Sequence, residues 1–284
     1  MSDYKTLKKF TDNIPNEDSC RVQDNMIAIS DGAGGCGVFA NEWSEYLVNK
    51  IFQRNNEIPI VSFDQLDAWL DEIWEPFYNE HEEIAKLYDG IFLSKFYQEG
   101  SYATLAVVWK TRTDTCHYVT YGDSVVFHYS KSVCKFEHSF SKLSDFAKPP
   151  YLISCKDPLQ REGFKANDFI LEDDSVVFAA SDALSHYILM MYYVTHKEEY
   201  KSEIEEILRA NTSESQMLSI ALSESSEGRH TFDLLIRQIQ NISQDQKAFD
   251  DYVQILHKRG VLDIDDYTLA VLKYDYMPCN TLNF

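Results

Sequence analysis

Six short runs rich in β-branched and aromatic residues lie at 26–30, 104–110, 117–120, 125–129, 176–180 and 267–274, and a long helical pattern separates the last two. Such runs read as strands. Strands so widely spaced can pair only through long-range contacts, so the chain must assemble sheets from remote segments and cover them with helices, which is an α+β texture. Between 184 and 260 the pattern is mostly helical, with apolar clusters at 187–194, 204–208, 217–222, 234–239 and 253–256. Trp43, Leu47 and Ile51 recur at helical steps after a glycine-rich turn. Ser62 followed by Gln65 resembles a capping box opening a helix whose Leu66, Trp69, Leu70, Ile73 and Phe77 form one apolar stripe, with a kink expected at Pro76. Glycine, proline and serine never cluster into a linker, so 1–284 reads as one domain.

Twenty-six Lys and Arg stand against 46 Asp and Glu, a net charge of -20. Nucleic acid and anionic lipid repel such a chain within a Debye length of about 8 to 10 Å, so neither is an expected partner. The longest apolar run, 187–194, falls far short of the roughly 20 residues that span a bilayer. No secretory signal is visible in MSDYKTLKKF, and the six cysteines form no C-x-x-C pair; reduced thiols in a cytoplasm are expected.

Several carboxylates sit where strands end. Asn16-Glu17-Asp18-Ser19 precedes the first strands, Ser30-Asp31-Gly32-Ala33-Gly34-Gly35 ends one, Ser181-Asp182-Ala183 joins a strand to a helix, and Asp265-Asp266-Tyr267-Thr268 opens the last strand. Taken singly, each suits a turn former or a helix cap. Taken together in one strand-lined cleft they would repel one another strongly unless a cation neutralised them. Their donors are all oxygen, which selects hard ions such as magnesium or manganese.

In this order these segments resemble the metal-dependent type 2C (PPM) Ser/Thr protein phosphatases, through NED at 16–18, SDGAGG at 30–35, GSYAT at 100–104, YGDS at 121–124, SDAL at 181–184 and DDYT at 265–268. The resemblance implies two stacked antiparallel sheets flanked by helices, with the metal cleft at one end between them. It implies Mn2+ or Mg2+ as two ions with a third, weaker one: Asp31 bridging, Glu17 and the Gly32 carbonyl on one ion, Asp182 and Asp265 on the other, and Asp123 with Asp182 on the third. Asp18 would orient a metal-bound water. Asp265 is favoured over Asp266 because neighbours on a strand face opposite ways. Two ions about 3.5 to 4 Å apart would then activate a shared water to hydrolyse phosphoserine or phosphothreonine on proteins, with a cognate Ser/Thr kinase as partner.

The chain departs from that pattern in places. Asn13 stands where many relatives grip phosphate with arginine, leaving Lys5, Lys8 and Arg21 as nearby cations. Ala33 replaces a histidine found in DGHGG, and Val125, Ala183 and Asp266 replace the usual flanks. These departures support an alternative, a catalytically impaired pseudophosphatase that binds phosphoproteins. A glycosidase using a carboxylate pair is a third reading, and its activity would survive a chelator. His186 and His196 are expected as polar surface residues, Ser101 as a small packing residue, and Cys36 as a packed, inert thiol.

Overall fold

The computed structural model describes residues 2–10, 15–54, 58–225 and 231–273. In chain order the elements are β1 (Asp3–Leu7), β2 (Asp18–Gln23), β3 (Met26–Asp31), α1 (Ala40–Gln53), α2 (Phe63–Ala85), α3 (Gly90–Glu99), β4 (Tyr102–Ala103), β5 (Leu105–Arg112), β6 (Thr115–Tyr121), β7 (Val125–Ser130), β8 (Lys135–His138), β9 (Ile153–Ser154), β10 (Phe164–Ile170) and β11 (Val176–Ala180). Then come α4 (Asp182–Thr195), α5 (Lys201–Ala210), α6 (Ser213–Ser225), α7 (Phe232–Ile242), α8 (Gln246–Arg259) and β12 (Tyr267–Leu272). One antiparallel sheet runs β1-β12-β11-β7-β8 and the other β10-β6-β5-β3-β2, with β4 and β9 forming a small separate pair.

Strand alternation decides how the layers stack. Along β3, Ile27 and Ile29 face the other sheet, where they meet Val126, Val177, Ala179 and Ala270. Met26 and Ala28 face the opposite way and pack with Trp43 and Leu47 of α1 and Leu66 of α2. In the other sheet, Phe178 and Ala180 of β11 turn outward against α4 and the helices that follow. The central strands are therefore buried on both faces, which is why their sequences are continuously apolar. The result is helices, sheet, sheet, helices: the α+β architecture anticipated from the sequence. Each fully buried large apolar side chain contributes about 1.5 to 3 kcal/mol relative to exposure, and Trp43 and Leu47 are both at 0% exposure.

The six runs read from the sequence are β3, β5, β6, β7, β11 and β12, the interior strands of the two sheets. Tyr274, at the end of the last run, lies outside the described residues. Strands β1, β2, β8 and β10 all lie at sheet edges, and no apolar run announced them. The stretch 184–260 folds as α4 to α8, and α4 buries eleven of its fourteen residues. Ser62 does cap α2 by accepting from the Gln65 amide, but the Gln65 side chain reaches back to the Val61 amide instead of to Ser62. Helix α2 runs on past Pro76 to Ala85 as one element.

Candidate active site

The carboxylates from remote segments come together at the sheet ends. Asp31 is the last residue of β3 and lies directly opposite Asp18 on β2. Asp182 opens α4 straight after β11, where the helix macrodipole favours an anion. Asp123 lies in the turn between β6 and β7, and Asp265 precedes β12. Glu17, Asp31, Asp123, Asp182 and Asp265, together with Gly32, Thr104 and Lys9, line one cavity of about 220 Å3. Of the expected residues only Asp18 is absent from its lining; it is buried one layer deeper, at 6% exposure.

Two glycines make this geometry possible. Gly122, before Asp123, has φ of 103°, and a Cβ there would come within 2.8 Å of the Thr104 side chain and 2.9 Å of the Tyr151 carbonyl. A Cβ on Gly34 would overlap the Glu17 carboxylate, so that glycine provides the space Glu17 occupies. Thr104 fixes the floor: its amide donates to the Asp31 carbonyl at 2.8 Å, and its hydroxyl accepts from the Asp31 amide at 3.0 Å. Strands β11 and β12 are locked beside it, because the Ser181 amide donates to the Thr268 carbonyl and the Thr268 amide donates to the Ser181 hydroxyl.

The gathering has an electrostatic cost. Burial, followed by the charges of Asp18, Asp182, Asp265 and Asp123, holds the Asp31 carboxyl well above the usual carboxylate range. Burial with Asp123, Asp265 and Asp18 does the same to Asp182, although the Ala183 amide donates to its Oδ1 at 2.5 Å. Burial above all pushes Asp18 up to about 7, against the Thr268 and Ser181 hydroxyls that favour its charge, and neither of its oxygens makes a hydrogen bond of good geometry. Burial, with the charge of Asp265 behind it, pushes Asp123 up to about 6. Carboxylates crowded in this way ionise readily only beside a cation. The all-oxygen donor set and the orphaned Asp18 oxygens fit a hard divalent ion. Among the described residues, no group of three or more His, Cys, Asp or Glu side chains stands close enough together to hold a metal ion as arranged.

The two adjacent aspartates part company. Asp265 lines the cavity. Asp266, at 2% exposure, turns inward and accepts the Lys9 amide at Oδ1 and the Glu17 amide at Oδ2, each at 2.6 Å. It staples the segment preceding β2 to the start of β12.

Lys9 escaped the sequence reading, which considered Lys5, Lys8 and Arg21. Its ammonium lines the cavity and pairs with Glu17 Oε2 at 2.8 Å. Arg21 is engaged elsewhere, donating to Asn49 Oδ1 and lying over the Phe52 ring. No sequence signal singled out Lys9; the hydrogen bond from its backbone amide to Asp266 and the ion pair of its ammonium with Glu17 hold it at the site. Asn13 lies outside the described residues.

Three lesser expectations are settled by packing. Ser101 is buried and donates to the Val38 carbonyl at 2.6 Å, a packing role. Cys36 is exposed, not packed. His186 is not a surface residue: it is 5% exposed, on the cavity side of α4 one turn after Asp182. Burial lowers its pKa, but Asp263 and Glu214 together outweigh that and push it up to about 9. His196 is half-buried at the end of α4, its ring tilted against Tyr192 with centroids 4.2 Å apart.

No family model matches the chain, and no curated protein matches it in sequence. Solved structures do match. The catalytic domain of the serine/threonine protein phosphatase PstP, solved in complex with two manganese ions, is 13% identical, covers 95% of this chain and 96% of its own, and superposes with a TM-score of 0.55. A serine/threonine phosphatase of S. agalactiae is 14% identical over 95% of this chain and 98% of its own, with a TM-score of 0.51. PppA of Pseudomonas aeruginosa, described as a key regulatory component of T6SS, is 14% identical over 95% and 96%, with a TM-score of 0.51. The chain has the fold of the type 2C serine/threonine phosphatases.

Proposed function

We propose that this chain, built on the type 2C phosphatase fold, hydrolyses phosphoserine or phosphothreonine on proteins with the help of bound manganese or magnesium. The observation that carries the proposal is the lining of one cavity by Glu17, Asp31, Asp123, Asp182 and Asp265, five carboxylates from five separate places in the chain. Burial and mutual repulsion hold Asp31 and Asp182 well above the usual carboxylate range. Five half-buried acids with one lysine among them are a poor way to stabilise a fold and a good way to hold dications.

On this reading Asp31 would serve both ions, Asp182 and Asp265 would hold one of them, and Glu17 with the Gly32 carbonyl would hold the other. Asp123 joins Asp182 at a third position. When bound, the metal supplies hydroxide near neutral pH and neutralises phosphate oxygens. Asp18, opposite Asp31 and buried behind the cavity lining, would orient a metal-bound water from there. With Glu17 engaged by a cation, the Lys9 ammonium, which lines the same cavity, would be free to bind phosphate in the role of the arginine that the sequence lacks at Asn13. No side chain needs to form a covalent intermediate. Residues 1–284 act as one catalytic unit in the cytoplasm, opposing a Ser/Thr kinase, and α4 to α8 shape access to the cleft.

One observation favours the pseudophosphatase reading: Glu17 is already held by Lys9. Hydrolysis of p-nitrophenyl phosphate and of a phosphothreonine peptide, with manganese or with EDTA, decides between them. The wild type is expected to turn over only with manganese, and Asp182→Asn to lose at least about 100-fold, the upper end of what residues bordering a metal cost. No manganese-dependent turnover in the wild type leaves the binding module, and turnover unaffected by EDTA excludes a metal-activated water.

A further inference from the structure

A cavity of about 700 Å3 adjoins the carboxylate cavity, and Pro150 and Leu152 line both. Tyr102, Tyr121 and Tyr151 with Pro149 and Pro158 make up most of its remaining wall, and Cys36 reaches it from the glycine-rich turn. A concave space of this size admits a side chain of a bound peptide. Hydrolysis as described above makes no use of it.

Most polar groups of the wall are already matched to one another. The Tyr102 hydroxyl donates to Asp157 Oδ2 at 3.2 Å, the Ser154 hydroxyl donates to the same oxygen at 3.0 Å, and Ser154 Oγ accepts the Asp157 amide at 3.0 Å. The Tyr121 hydroxyl donates to the Gln160 carbonyl at 3.1 Å and accepts the Gln160 amide at 2.8 Å. Pro149, Pro150 and Pro158 have no amide to offer. Among the described residues, Asp157 is the one charge in this wall, and it is exposed, where an ion pair adds little. What the cavity presents to an occupant is therefore ring and aliphatic surface. A charged occupant would lose water for little return, whereas an apolar one gains by leaving it. Pro149, Pro150 and Tyr151 also line a neighbouring cavity that carries Lys148 and Lys165, and so divide an apolar flank of the cleft from a charged one.

We propose that this cavity is a subsite for one large apolar side chain of the phosphoprotein client, leucine or phenylalanine, a fixed number of residues from the phosphorylated serine or threonine. The occupant follows from continuity. On the hydrolytic reading, on which the proposal rests, the phosphorylated residue lies in the carboxylate cavity, and the peptide flanking it passes Pro150 and Leu152, which line both spaces. The client side chain then covers Tyr151, which is 42% exposed, and Pro158, which is exposed as well. The two hydrogen bonds between Tyr121 and Gln160 hold the wall in shape beforehand, so little ordering accompanies capture.

Fluorescence anisotropy on the manganese-loaded protein tests this. The probes are labelled peptides with a non-hydrolysable phosphonate analogue of phosphothreonine in an alanine background, one leucine being walked through the flanking positions. At one position leucine should tighten binding about tenfold over the all-alanine peptide, as partial burial of one such side chain gives. Arginine at that position should gain about twofold at most. Tyr151→Ala and Pro158→Ala, at exposed sites where misfolding is a poor explanation, should each cut the leucine advantage to about threefold or less. Leu87→Ala, 85% exposed between α2 and α3, should leave it whole and so controls for indiscriminate apolar capture. Cys36 gives a second readout. Its alkylation by iodoacetamide, followed by mass spectrometry with the exposed Cys134 as reference, should be slower under the leucine peptide than under the all-alanine peptide at equal occupancy. Capture of no peptide, equal tightening at every position, arginine matching leucine, an advantage that survives both wall variants, or a Cys36 no better shielded by leucine than by alanine overturns the subsite. Binding needs no turnover, so the two ideas fail separately: position-specific capture without hydrolysis sinks the enzyme alone, and hydrolysis indifferent to the leucine sinks the subsite alone.

Discussion

Asp265 and Asp266 are adjacent and chemically identical, yet opposite consequences follow from replacing each with asparagine. The Asp266 carboxylate accepts two backbone amides, those of Lys9 and Glu17, each at 2.6 Å and at 2% exposure. An asparagine amide has one acceptor oxygen and one donor nitrogen. One of the two N–H groups then keeps its partner, and the other faces an NH2 and is orphaned. A charge-assisted hydrogen bond contributes about 1.5 to 3 kcal/mol and a buried unsatisfied amide costs about 1 to 3, so Asp266→Asn should destabilise by about 2 to 4 kcal/mol. An unfolding entropy of about 2.1 cal/mol/K per residue over the whole chain makes each kcal/mol worth about 1.7 °C, which gives a fall in Tm of about 3 to 7 °C. That fall should appear both in EDTA and in manganese. At Asp265, burial and the neighbouring Asp266 and Asp263 make the charged form unfavourable without metal. Asp265→Asn should therefore leave the Tm in EDTA unchanged or raise it. It should also lose most of the manganese-induced rise, which for the wild type at a hundred times Kd is about 2.7 kcal/mol or roughly 5 °C. Differential scanning fluorimetry of the three proteins in both buffers measures all six values. If Asp266→Asn abolished the manganese response at an unchanged EDTA Tm while Asp265→Asn lowered that Tm, the geometric argument would be refuted and the two roles reversed.

Two more outcomes are expected. The carboxyls of Asp31 and Asp182 are raised well above, Asp18 to about 7 and Asp123 to about 6, against about 3.9 in an unfolded chain, so between about pH 4 and 7 the metal-free fold binds more protons than the unfolded chain. Stability in EDTA should then fall as pH rises through that window, by about 1.4 kcal/mol per pH unit for each group so shifted, more steeply in the wild type than in Asp182→Asn; a Tm that climbs equally in both proteins would contradict the crowding. Lys9→Ala should lower the manganese concentration for half-activation several-fold, because Glu17 loses its competitor, while raising KM for a phosphopeptide about tenfold; weaker manganese activation would show that the ion pair supports the site instead of blocking it.

The central strands were legible because burial on both faces writes itself into sequence as an unbroken apolar run, as in the residues of β3, β5 and β11. Edge strands β1, β2, β8 and β10 were not, since a strand with one solvated side and one unpaired edge need not be apolar. The carboxylates were legible for a related reason. A strand followed by an acid and a glycine is a local signal, and Asp31, Asp123 and Asp182 each carry their own address at a strand end or tight turn.

Sequence alone thus determined the layered architecture and the positions at which acids end up at strand mouths. Tertiary structure alone decided which way individual side chains face: that Lys9 and not Lys5, Lys8 or Arg21 enters the cavity, that Asp266 staples while Asp265 lines it, and that His186 is buried between Glu214 and Asp263. The physical reason is range. Residues within a strand or helix constrain one another through a fixed repeat, whereas the orientation of Lys9 is set by a hydrogen bond to a residue 257 positions away, and no local pattern encodes a partner at that distance.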